Sequence, residues 1–267
     1  MGFGRRLAAL IITKASSRTR ADARTRAHPA VADLHDSTNA LLGWTEEPVA
    51  ASCTWVGDGV EHLVRVLKGL VELPQHPQVT ASSWTEQLLN DLLILADAHE
   101  CFGEVLQSLK QLLAEAQAAQ RHHDGARLAD AVHARRGSDR IFSRIASTLR
   151  AFSRRSYSST VSTSDSGEAT VAEAIAAATC AVAAGSAIIF TWIASSSASS
   201  TLRALTSLTA SSVTKGMEQL RSLEECIMVT ENGCEQVYRA LINARTSLLN
   251  MLSADYSTST NLTRFKM

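Results

Sequence analysis

Apolar residues recur along most of the chain with the 3.6-residue period of an α-helix, and no stretch alternates apolar and polar side chains as a half-buried strand would. The clearest seam is Leu88, Leu92, Leu95, His99, Phe102, Leu106, Leu109 and Leu113, in alternating steps of four and three. It predicts a helix over 84–119, roughly 54 Å long at about 1.5 Å per residue. Ser83-Trp84-Thr85-Glu86 at its start fits a capping box, with the Ser83 hydroxyl and the Glu86 carboxylate each accepting from the other's backbone amide. A second seam, Leu220, Leu223, Ile227, Thr230, Cys234, Val237, Leu241, Ala244, Leu248 and Met251, predicts a helix over 216–252 of roughly equal length. Two such rods, each with one apolar seam, suit lengthwise packing in an antiparallel bundle with coiled-coil-like contacts.

The shorter elements follow the same logic. Pro29 suits a first helical position, and Val31, Leu34, Leu41 and Leu42 make the apolar face of a helix over 29–43. Gly43 and Pro48 turn 44–53 into a loop. Val56, Val60, Leu63, Val64, Leu67, Leu70 and Val71 predict a helix over 56–72, ended by Leu73-Pro74. Residues 121–155 form a basic helix, broken or kinked near Gly125 and Gly137, whose stripe is Ile141, Ile145, Leu149 and Phe152. Arg135, Arg136, Arg140, Arg144, Arg150, Arg154 and Arg155 surround that stripe.

Composition supports an all-α fold, since the 190 residues after Pro77 contain no proline to interrupt a helix. Eight of the eleven residues in 156–166 are Ser or Thr, which marks 156–167 as a linker that buries no apolar area. Residues 174–194 carry no charge, as does the chain up to Arg203, so their length would cross a bilayer. Nine of those twenty-one residues are Ala, however. Ala177, Ala181, Ala184 and Gly185 make a small-residue face for close packing, so the reading adopted is a buried helix, with a bilayer span as the alternative. The Ser-rich 195–212 reads as a loop or frayed helix. The domains are then a basic disordered tail over 1–28, a helical bundle over 29–253 and a C-terminal tail over 254–267.

The net charge is zero, yet 1–28 carries +6, 29–120 carries −10 and 121–155 carries +6. The simplest account is that the acidic part and the basic helix satisfy each other internally. A membrane surface is a candidate partner for the basic segment. Nucleic acid is not expected, because the arginines are not interleaved with aromatics and no DNA-binding pattern is present. Residues 1–28 are basic, Ser/Thr-rich and nearly free of acid, so a mitochondrial or plastid transit peptide is the alternative to a plain tail. The five cysteines, Cys53, Cys101, Cys180, Cys226 and Cys234, are scattered without a C-x-x-C pair, which argues against a disulfide framework and for a reducing compartment. Cys226, near Leu223 and Ile227, then behaves as a small hydrophobe.

The familiar catalytic and nucleotide-binding motifs do not occur in the chain. Gly57-Asp58-Gly59 opens no dinucleotide fingerprint, and no phosphate loop or G-x-S-x-G elbow occurs. A di-metal bundle needs two Glu-x-x-His pairs; the nearest match is Asp130-x-x-His133, and His122-His123 falls at a helix break. His99, the one polar residue on its seam, reads as a hydrogen-bonded core or rim histidine. No catalytic, cofactor or metal site is expected, and the chain is read as a non-enzyme. Ser158, with Arg155 three residues before it in a Ser/Thr run, is a candidate phosphorylation site.

Three stretches together resemble the plant BYPASS-related family: RAHPAVADLHDSTNALLGW at 26–44, the Leu-rich helix opening WTEQLLNDLLILADAHE at 84, and LEECIMVTENGCEQVYRALINARTSLLNMLS at 223–253. The last contains an R-x-S-L-L-N signature at Arg245, Ser247, Leu248, Leu249 and Asn250. Gly137 in the basic helix and the Ala-rich 174–194 depart from the pattern. The resemblance implies a plant-specific helical protein linked to root and shoot development, with no active site to carry over. The expectation is a cytoplasmic helical scaffold or regulatory protein acting through unidentified protein partners, able to form homo-oligomers. The alternatives are a membrane protein anchored through 174–194 and an organellar protein with a transit peptide.

Overall fold

A computed structural model describes residues 29–46, 52–73, 83–155, 166–206 and 210–264, with the side chains of 83, 166–168, 198–206, 210–216 and 254–264 outside the description. The described residues form six helices and no strand: α1 (Pro29–Glu46), α2 (Cys53–Glu72), α3 (Ser83–Arg121), α4 (Gly125–Ser153), α5 (Ser166–Thr206) and α6 (Ala210–Arg264). α5 is the hub. It packs on every other helix, and around it α1, α2, α6, α3 and α4 follow one another as an open ring. The predicted tail 1–28, the linker up to 165 and Ser158 within it lie outside the described residues, as does the Ser83 hydroxyl of the capping box.

The periodic seams are the core. All eight α3 seam positions are buried, and so are the α6 positions from Leu220 to Leu248, with Met251 half-buried. Truncating any of the buried leucines to Ala would cost about 2–5 kcal/mol. Side-chain size then decides how closely the helices cross. Gly233 of α6 faces Val60 of α2, where an added Cβ would lie 2.5 Å from a Val60 methyl. Gly59 of α2 lies under the Trp44 indole, and a Cβ there would overlap the ring at 2.3 Å. These two glycines set how near α2 approaches its neighbours.

Several expected boundaries move. Trp44, placed in a loop by the sequence, ends up buried in α1, which runs on to Glu46 and stacks that indole on Trp55 at 4.5 Å. The break before α4 falls at 122–124, where His123 takes a positive φ of 54° and Asp124 caps α4 by accepting from the Arg127 amide at 3.0 Å. α4 then passes through Gly137 without interruption, since that glycine meets nothing and needs only helical torsions. Ile141 is not part of the inner stripe but 47% exposed. The Ser-rich stretch after 194, read as a loop or frayed helix, is helix to Thr206; Ser195 donates to the Thr191 carbonyl, Ser197 to the Ala194 carbonyl, and Arg135 of α4 reaches Ser197. α6 likewise continues past 252 to Arg264.

The uncharged segment forms the middle of α5. Residues Ala169–Ser197 are long and apolar enough to cross a membrane by length and composition, and 72% of the apolar window is buried inside the bundle. Ala181 and Ala184 are buried, and Gly185 admits Leu41 and Leu63, leaving 3.1 and 3.2 Å to an added Cβ. Ala177, assigned to the same small-residue face, points outward instead.

Candidate functional site

Three polar side chains meet where α3, α5 and α6 touch. His99 and Cys234 are the polar positions at which the two long seams face each other, and Ser186 reaches them from the hub helix. His99 Nε2 lies 3.0 Å from Ser186 Oγ, and Nδ1 lies 3.4 Å from Cys234 Sγ. The Cys234 thiol donates to the His99 carbonyl at 3.3 Å. A neutral imidazole satisfies all of this: Nδ1–H donates to the sulfur, and Nε2 accepts from the Ser186 hydroxyl. Phe190 presses an edge on the ring with centroids 5.1 Å apart, and Phe102 stacks on Phe190 at 3.6 Å.

A cysteine beside a histidine is the arrangement of a nucleophilic dyad, and the electrostatics here oppose that chemistry. Burial alone lowers the His99 pKa to about 3, so the ring stays neutral and stabilises no thiolate. Burial first, then Glu235 and Glu231, push the Cys234 thiol up to about 12. A catalytic cysteine needs the opposite shift and access to solvent. The three residues are a clasp that aligns three helices.

The second cluster is at the α2 N-terminus. Ser52 caps the helix, accepting from the Trp55 amide at 3.4 Å, and so positions Cys53. Cys53 forms a disulfide with Cys226 of α6 across a separation of 173 residues, with Cα atoms 5.1 Å apart. The expectation of unpaired cysteines is therefore corrected. The pairing was invisible in the spacing because it joins the first turn of a short helix to the middle of a distant one. Trp55, stacked on Trp44, also approaches Trp192 of α5 at 6.1 Å.

The third feature is α4. Arg135 is buried, donating to Ser197 at 3.4 Å and pairing with Asp139. Arg150 donates to Thr191 Oγ1, while desolvation and neighbouring Arg154 lower its pKa. Arg155 lies over the Phe152 ring at 4.8 Å and reaches the buried Asp91 at 3.8 Å, which also accepts from Gln87 at 2.8 Å. Arg136, Arg140, Arg144 and Arg154 are exposed and make no ion pair among the described residues. The acidic segment and the basic helix thus meet at Arg155–Asp91, and the outer face of α4 keeps its charge, contrary to the expected internal neutralisation.

The family model described as Protein BPS1 matches residues 58–251. The chain belongs to the BYPASS-related family. No curated protein and no solved structure matches it. The matched span of this BYPASS-related chain takes in the His99 clasp, Cys226 and the whole of α4, while α1 and Cys53 fall before it. The stretch 26–44 that contributed to the resemblance is outside the match as well.

The remaining candidates are on the surface of the bundle. His122, His123, Asp130 and His133 are all exposed. Among the described residues, no three His, Cys, Asp or Glu side chains come together in a way that could hold a metal ion. The clasp and the disulfide were both missed from sequence. For the clasp a signal existed: His99 and Cys234 each interrupt an apolar seam, and two polar interruptions on facing seams can be satisfied by meeting.

Proposed function

We propose that this BYPASS-related protein is a non-enzymatic helical scaffold or regulatory protein, acting through protein contacts in root and shoot development. The observation that carries the reading is a set of three exposed apolar side chains on the outer side of α6. Met228, Ile242 and Leu249 are 56%, 37% and 41% exposed. They stand fourteen and seven residues apart, so all three lie within a sector of roughly 60°, which exposed Glu235 shares. Single exposed hydrophobics are ordinary, but three on one side of one helix, set among charged residues, suit the mixed apolar and polar contacts of a protein partner. The sealed His99 clasp supports the non-enzymatic part, since its one thiol–imidazole contact is tuned away from nucleophilic chemistry.

The test is complementation in plants lacking the gene. A chain carrying Met228→Lys, Ile242→Lys and Leu249→Lys should keep its helix content and fail to restore root and shoot growth. Full rescue by that variant would overturn the reading. A cytoplasmic, soluble form is supported by the packing of α5, whose Ile175, Val182, Ile189, Phe190 and Ile193 are buried against the other helices. Release into the supernatant without detergent is the expected fractionation result; retention in the pellet after alkaline carbonate overturns it in favour of anchoring through 174–194.

One observation favours the organellar alternative. The Cys53–Cys226 disulfide suits a compartment where thiols are oxidised or cycled, whereas cytosolic thiols are kept reduced. A fluorescent fusion of the whole chain decides between them: plastid or mitochondrial import, with residues 1–28 removed, selects the organelle.

A further inference from the structure

The outer face of α4 has a chemistry that the bundle does not use. Arg136, Arg140 and Arg144 follow one another at four-residue steps, and Arg154 returns to the azimuth of Arg136 after eighteen residues. All four are exposed, unpaired among the described residues, and confined to a sector of roughly 80° that runs for about 27 Å along the helix. Ser143, Ser147 and Ala151 fill the same sector, so no bulky side chain stands between the arginines and whatever lies against them. Like charges at i, i+4 spacing destabilise a helix, and nothing inside the bundle offsets this.

Ile141, 47% exposed, stands roughly 60° round the helix from the edge of this sector at Arg144. The helix's aromatic residues, Phe142 and Phe152, are turned into the core. A nucleic-acid strand gains from stacking on aromatic rings and gains nothing from an isoleucine. A bilayer interface offers what the arginines lack, a dense plane of anionic headgroups spread along the whole length of the row.

From this geometry we infer that the outer face of α4 docks the protein on an anionic membrane surface, with the helix lying parallel to the bilayer. The inference goes beyond the scaffold reading and does not depend on it, since the surface involved is on a different helix from the exposed α6 side chains. It adds a membrane-peripheral location that leaves α5 buried in the bundle.

The experiment is co-sedimentation of the full chain with vesicles of phosphatidylcholine alone and of phosphatidylcholine with phosphatidylglycerol, at low and high salt. Binding is expected only to the anionic vesicles and should fall steeply with salt. The triple variant Arg136→Gln, Arg140→Gln, Arg144→Gln should bind about a hundredfold more weakly. A control with the same net charge, Arg65→Gln, Arg221→Gln, Arg239→Gln, should stay near the parent. Circular dichroism should be unchanged in all of them, because every substituted side chain is exposed. Equal loss in the two triple variants would reduce the effect to bulk charge and overturn the inference. So would arginine-dependent binding to an RNA oligonucleotide without vesicle binding, which would assign the face to nucleic acid.

Discussion

Replacing His99 tests the clasp through its pH dependence. The imidazole is buried and its pKa is lowered from 6.5 to about 3. In the unfolded chain it titrates normally. Below pH 6.5 the unfolded state therefore binds a proton that the folded state refuses, and stability is lost as pH falls from there toward the folded value; above that window the residue contributes no pH dependence. With about 1.36 kcal/mol per pH unit, the loss attributable to His99 between pH 7.5 and pH 5 is about 2 kcal/mol. The full shift would correspond to about 5 kcal/mol at the acid limit. The assay is urea unfolding of the parent and of His99→Gln at both pH values. Gln carries a neutral amide in place of the imidazole and cannot titrate, so it should lower stability by about 1–3 kcal/mol at pH 7.5 through the imperfect replacement of two hydrogen bonds. Carboxylates common to both chains cancel in the comparison. The parent should lose about 2 kcal/mol more than the variant on acidification. Equal losses would refute burial of a neutral imidazole at this position.

Leu106→Asp and Leu241→Asp each place a carboxylate in a fully buried seam and should cost several kcal/mol, in the range of about 3–5, whereas exposed Glu115→Ala should cost little; identical thermal melts for all three would mean the seams are misassigned. Reducing the Cys53–Cys226 bond, or replacing both residues by Ser, removes a crosslink spanning 173 residues, and loop-closure entropy puts the loss at about 5 kcal/mol. Peptide mapping under non-reducing conditions should recover the two segments joined, and free thiols at both positions in air-oxidised protein would contradict the pairing. Phosphorylation is expected at Ser158, three residues after Arg155, and mass spectrometry of protein from plant tissue that always shows 156–166 unmodified would count against it.

The helical class, the two long rods and nearly every residue of their seams were legible in the sequence. A 3.5–3.6-residue repeat of Leu, Ile and Val has one stable outcome in water, which is burial of that side. The family was legible for a related reason, since its recognisable stretches are those same seams with their flanking polar residues. The partners across the seams were not legible. Periodicity says which side of a helix is inside and nothing about which other helix it meets. That Cys53 finds Cys226, that His99 closes on Ser186 and Cys234, and that a Val60 methyl occupies the space left by Gly233 are facts of three-dimensional register.

The same distinction explains the misread segments. The Ser-rich end of α5 has a weak local preference for helix, which left loop and frayed helix both open in the sequence, and it is tied to the bundle by Arg135 reaching Ser197 from α4. Ile141 fits the α4 stripe by spacing, but α4 rests on α3 and α5 along an arc that includes Phe142, Ile145 and Leu149 and leaves Ile141 outside. An apolar repeat sets the direction of burial for a helix; the packing of its neighbours sets the width of the buried arc, and so decides whether a borderline side chain joins the core or stays outside it.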